Sequence, residues 1–137
     1  MIDENLRIMS KNLKEKGSAS LSYLDYKALE QFWNCFNWTF KTIKPGDKTN
    51  AEGKLGILLY GKGVIEKGGK SFTAKPGMPF GVIKYDIGRD ENITFLAATD
   101  SVYILSESDL MERVCYSSCW FHGRLRMELI EILNKYR

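Results

Sequence analysis

Apolar residues recur along this chain with two different periods, and the change between them falls near Trp38. Leu6, Met9 and Leu13 stand three and four apart, as on one face of a helix, before Gly17-Ser18 interrupts them. Ser22 followed by Asp25 resembles an N-terminal capping box, and Leu24, Ala28, Phe32 and Cys35 or Phe36 continue an apolar stripe after it. Residues 1–37 are therefore predicted to be helical. From Trp38 the period drops to two: Trp38 and Phe40 alternate with Thr39 and Lys41, the pattern of a half-buried strand. Breakers follow at short intervals, among them Pro45-Gly46-Asp47, Glu52-Gly53, Gly61, Gly63, Pro76-Gly77, Gly81 and Gly88. Between them lie segments rich in β-branched and aromatic residues: Leu55–Tyr60, Val64–Lys67, Ser71–Ala74, Ile93–Ala97 and Val102–Leu105. Gly68-Gly69 between strand-like flanks suits a tight hairpin whose turn residues both take positive φ. Short strands with Gly/Pro turns predict a small barrel, jelly roll or β-roll over residues 38–106.

Residues 107–137 return to a helical period. Ser118, His122, Leu125, Leu129, Ile132 and Tyr136 fall at alternating steps of four and three, the a/d seam of a coiled coil. Arg124, Arg126, Glu128, Glu131 and Lys135 fall off it. The stripe fits a dimer seam, and it equally fits a helix lying on its own barrel.

A length of 137 residues suits one domain, and 44% hydrophobic against 27% charged residues marks a globular chain. Twenty basic and 17 acidic side chains leave a formal charge of +3, with the basic residues scattered. That balance carries no electrostatic footprint for nucleic acid. No apolar run approaches the roughly 20 residues of a membrane span, and Met1 to Glu4 carries acids rather than a signal sequence. Three cysteines, an odd number, read as reduced thiols, so a cytoplasmic location is expected and no membrane partner.

Helices, a Gly-punctuated β-roll and a long amphipathic helix, in that order, resemble the sensor domains of cyclic nucleotide-binding type in Crp/Fnr transcription regulators. The residues that carry the resemblance are Lys44-Pro45-Gly46-Asp47, Gly61-Lys62-Gly63-Val64 and Pro76-Gly77-Met78-Pro79-Phe80-Gly81. Ala97-Ala98-Thr99-Asp100-Ser101 and Ser106-Glu107-Ser108-Asp109-Leu110 complete the set. Cys115-x-x-x-Cys119-x-x-His122 is also similar to the helix start of some clostridial-type members. The resemblance implies a mainly β fold, a double-stranded β-helix with N-terminal helices and a long C-terminal dimerisation helix.

In nucleotide-binding members a short helix after the Phe-Gly stretch presents a Glu to the ribose, and an Arg further on clamps the cyclic phosphate. A buried phosphate needs such a cation, or backbone N–H groups, to offset its desolvation. Here the Glu position holds Val82 and the Arg position falls on Glu91, whose carboxylate repels phosphate. Arg89 stands two residues away, as a substitute clamp or as an exposed loop residue. Cyclic AMP and cyclic GMP are therefore expected not to bind. A pocket for another small molecule would use Phe80, Gly81, Val82, Ile83, Arg89 and Phe95, although core packing explains the apolar members equally well.

Cys115, Cys119 and His122 lie at i, i+4 and i+7 on one helix face, a spacing that suits zinc or iron as well as simple burial. No resident cofactor is expected. A cupin-type metal oxygenase would need two or three barrel histidines, and this chain has one His, placed after the strands. Neither a Gly-x-Ser-x-Gly elbow nor a phosphate loop is present, so a non-enzyme is expected. The leading expectation is the effector-sensing and dimerisation domain of a Crp/Fnr-type bacterial transcription regulator. It would act as a homodimer through the C-terminal helix and answer to an unidentified small molecule. DNA becomes a partner only where a helix-turn-helix domain lies beyond Arg137. The alternative is a free-standing ligand-binding or protein-interaction module.

Overall fold

The computed structural model of the chain describes Lys11 and residues 38–83, 91–106 and 122–136. The expected N-terminal helices otherwise lie outside the described residues, as do Arg89 and the segment with Cys115, Ser118 and Cys119.

Two X-Pro-Gly-X turns set the rhythm of the strands. β1 (Thr39–Ile43) ends at Lys44-Pro45-Gly46-Asp47, where Gly46 has φ 88 and the Asp47 N–H bonds the Lys44 carbonyl at 3.1 Å. β2 (Lys48–Thr49) leads into a left-handed turn, Ala51–Gly53, with φ of 61, 55 and 78. The Asn50 side chain accepts from the Glu52 N–H and the Thr49 hydroxyl from the Ala51 N–H, which holds two non-glycine residues in a region they rarely enter. β3 (Leu55–Tyr60) and β4 (Gly63–Lys67) follow. The turn Gly68-Gly69, with φ of 52 and 85, joins β4 to β5 (Lys70–Ala74) as the sequence pattern predicts. Lys75-Pro76-Gly77-Met78 repeats the first turn, with Gly77 at φ 91, and delivers β6 (Pro79–Ile83). β7 (Glu91–Ala97), β8 (Ser101–Ser106) and the helix α1 (His122–Tyr136) complete the described elements.

The strands run antiparallel in the order β1-β8-β3-β6-β7-β4-β5, with β2 added to β7. β7 changes partner along its length. Glu91 to Ile93 pair with β6, while Thr94 to Ala97 pair with β4, and Phe95 and Leu96 also pair with β2. This exchange rolls the sheet over on itself, giving a mainly β roll carrying a C-terminal helix. Leu55, Ile57, Ile65, Phe80, Ile93 and Phe95 are fully buried within it. No helix among the described residues is long and apolar enough to cross a membrane.

Two glycines admit the central packing. A Cβ on Gly56 would stand 2.8 Å from the Phe80 ring, so the absence of a side chain there lets that ring lie against β3. Gly81, inside β6, has φ +93, and a Cβ on it would meet the Lys54 carbonyl and Ala51. Gly81→Ala combines left-handed strain with a backbone clash, so a loss of roughly 2–5 kcal/mol is expected in urea unfolding. Phe80→Ala should cost about 3–5 kcal/mol by the same measurement.

Candidate functional site

The segment Pro79-Phe80-Gly81-Val82-Ile83 is strand, where the family resemblance places the start of a short helix just after Phe-Gly. Its ladder with β7 runs Gly81↔Ile93, Val82↔Asn92 and Ile83↔Glu91. The Val82 N–H also bonds the Lys54 carbonyl at 2.9 Å, which ties this stretch to the left-handed turn. The hairpin thus brings the two positions that matter for a nucleotide, Val82 and Glu91, to diagonal places on adjacent strands. One is apolar and half-buried, the other a carboxylate-bearing residue. Val82 supplies no acceptor at the ribose position, and Glu91 supplies no cation at the phosphate position.

Of the other proposed ligand residues, Phe80 and Phe95 are fully buried and Ile83 nearly so. The Phe80 ring lies 5.4 Å from Phe95 and 5.3 Å from Tyr103, at interplanar angles of 36° and 68°. These are favourable aromatic geometries, and they join β6, β7 and β8 inside the roll. Five of the six candidate residues therefore share the β6–β7 hairpin, and the sixth, Arg89, is not among the described residues.

The C-terminal stripe has a different place from an open seam. Leu125, Leu129, Ile132 and Tyr136 are all buried within the single chain, together with Leu133. A stripe widened by Leu133 is the apolar face of a helix on a globular core, broader than an a/d seam. Of the two expected placements, a dimer seam or a helix lying on its own barrel, the burial of these residues within one chain fits the second. His122 opens α1, and its side chain, like Cys115, Ser118 and Cys119, lies outside what the structure describes, so the metal candidate is not placed.

Tyr136 makes the most specific of the helix contacts. Its hydroxyl donates to the Pro79 carbonyl at 2.9 Å, and its ring lies 5.0 Å from that of Phe72 on β5. Burial pushes its phenol well above the ordinary value. Pro79 is the residue immediately before Phe80, so the last turn of α1 is bonded to the start of the strand that carries the candidate ligand residues. Sequence reasoning placed Tyr136 on the stripe without assigning it this role and passed over Phe72. The available signal was chemical: a tyrosine ending a buried stripe needs an acceptor for its O–H.

No protein-family model matches the chain, and no curated protein matches it. Solved structures do. A cyclic nucleotide-binding domain from Methylobacillus flagellatus matches with a TM-score of 0.60 at 11% identity, over 97% of this chain and 78% of that one. PKAR CBD2 bound to Sp-2Cl-cAMPS matches at 0.56 and 17% identity, over 96% and 91% of the two chains. The Thermus thermophilus catabolite activator protein matches at 0.50 and 15% identity; the alignment covers 82% of this chain and 55% of the activator. The fold is that of the cyclic nucleotide-binding domains, shared with Crp-type regulators.

Proposed function

We propose that this chain is the effector-sensing domain of a Crp/Fnr-type transcription regulator, and that its effector is neither cyclic AMP nor cyclic GMP. The observation that carries the reading is the hydrogen bond from Tyr136 to Pro79, because it couples the C-terminal helix to the strand running through Phe80-Gly81-Val82-Ile83. A ligand that shifts this strand changes the acceptor to which the helix is tied. A sensing domain needs such a two-state element between ligand and output. Rejection of cyclic nucleotides is supported by the residue types at these two positions, Val82 where the ribose needs an acceptor and Glu91 where the phosphate needs a cation.

Titration calorimetry with cyclic AMP and with cyclic GMP is expected to give no heat of binding for either; micromolar affinity for one of them sinks the proposal.

The helix contact has its own signature. The Tyr136 phenol is held protonated in the fold by burial, whereas in the unfolded chain it ionises near 10.0. Its folded value being raised, its contribution is complete below pH 10 and declines as pH rises further, by about 1.4 kcal/mol per pH unit. Tyr136→Phe should be less stable at pH 7 by about 1–3 kcal/mol, since the buried Pro79 carbonyl loses its donor. Above pH 10 the gap between the two proteins should shrink. Urea unfolding of both from pH 7 to 11 checks this, and a constant gap would contradict it.

A further inference from the structure

Met78 closes the turn it ends with its own sulfur. The Met78 Sδ accepts from the Lys75 N–H at 3.1 Å, and the Met78 N–H donates to the Lys75 carbonyl at 3.1 Å. Lys75-Pro76-Gly77-Met78 is therefore held through a side chain as well as through the backbone. The turn is also tied to β3: the Gly77 N–H donates to the Leu58 carbonyl at 2.6 Å and the Leu58 N–H to the Met78 carbonyl at 3.1 Å. Pro79, whose carbonyl accepts from Tyr136, is the next residue. A thioether is a weak acceptor, and its use here makes the turn depend on the oxidation state of one sulfur.

The same side chain is within reach of a small oxidant. Met78 is only 8% exposed, but it forms part of the wall of an open cleft of about 690 Å³ between β5, this turn and α1. One water takes about 30 Å³ of liquid, so a molecule of two oxygens enters such a cleft freely. Phe72, Ile132 and Tyr136 line it beside Met78, which makes the surroundings of the thioether largely apolar. Met127, 56% exposed on α1, is the other methionine among the described residues and provides an internal comparison.

We propose that Met78 is an oxidation site, and that its conversion to the sulfoxide by hydrogen peroxide loosens the docking of α1. The lone pair of Sδ not engaged by Lys75 attacks one peroxide oxygen, and the O–O bond breaks as the S–O bond forms. The sulfur loses two electrons, and its new hydroxyl gives its proton to the departing hydroxide, so the products are sulfoxide and water. A flexible apolar side chain becomes a polar one. The new oxygen stands one bond beyond the sulfur. It either draws the Lys75 N–H out of the turn or lies unpaired against the apolar wall, which is costly. Both outcomes displace Met78, and with it the Pro79 carbonyl that anchors Tyr136. The device works on the helix anchor alone and needs no effector.

The test treats the full chain with hydrogen peroxide, then with dithiothreitol to return reversibly oxidised cysteines, and follows it by peptide mass mapping and amide hydrogen exchange. Met127 is expected to oxidise first, with no change in exchange, and Met78 more slowly. As the Met78 sulfoxide accumulates, amides of Phe80 and of the last turn of α1 should exchange at least tenfold faster. Met127→Leu should keep this response and Met78→Leu should abolish it, since leucine conserves the volume and cannot be oxidised. Methionine sulfoxide reductases, one for each sulfoxide epimer, should restore slow exchange to the oxidised protein, a readout that does not depend on how well Met78→Leu folds. An unmodified Met78 where Met127 is fully oxidised, Met78 sulfoxide with unchanged exchange, the same response in Met78→Leu, or fast exchange that persists after Met78 is reduced would each overturn the proposal.

Discussion

Phe80 sits at the crossing point of the roll, and most of what surrounds it follows from making room for its ring. Gly56 leaves a flat stretch of β3 on which the ring lies, and Phe95 and Tyr103 close on it from β7 and β8. The next residue, Gly81, takes a φ of +93 that lets β6 pass against the left-handed turn at Ala51. That turn is itself strained at Ala51 and Glu52, and it is held by the side-chain oxygens of Thr49 and Asn50, which accept from the Ala51 and Glu52 N–H groups at 3.1 and 3.2 Å. Ring contacts with centroids 5.3 and 5.4 Å apart are thus bought with unusual backbone on both sides of Phe80.

The same strand faces outward to the helix. Pro79 contributes its carbonyl to Tyr136, Phe80 its ring to the core, and Val82 and Ile83 their ladder positions to β7. Within one short strand, the helix anchor, the centre of packing and the expected ligand segment are successive residues. Displacement of any one of them is transmitted by covalent geometry to the others, without a chain of intermediate side chains.

Much of the roll was legible in the spacing of its glycines and prolines. Leu55–Tyr60 was read to the residue, and the Gly68-Gly69 hairpin and the two Pro-Gly turns follow directly from the φ values such residues favour. β6 was not read as a strand, because Gly81 within it reads as a breaker. Pro79 is tolerated as the first residue of β6, and Gly81 is there for a close approach, which local sequence does not reveal. The C-terminal stripe was seen correctly as apolar, but periodicity says only that a face is covered and not what covers it. Leu133 next to Ile132 was the residue that distinguished a broad core-facing surface from a narrow seam. The bond from Tyr136 to Pro79 joins residues 57 apart in sequence, and no motif signals it. The candidate ligand residues were legible as a motif, whereas the wall shared by Phe72 and Tyr136 exists only once the helix has docked.

The pairing of β8 with both β1 and β3 has a consequence for how the chain is made. Thr39 finds Leu105 and Leu55 finds Ser106, so early strands wait for the last one before their ladders can form. Synthesis at roughly 5–20 residues per second leaves β1 and β3 without that neighbour for several seconds. β3 carries a run of apolar residues, Leu55, Ile57, Leu58 and Leu59, that is buried in the finished roll and exposed until then. A sheet built on such distant partners forms slowly, since the entropy of closing long loops precedes any reward from the contacts. The nascent chain therefore exposes an apolar strand that the folded domain covers.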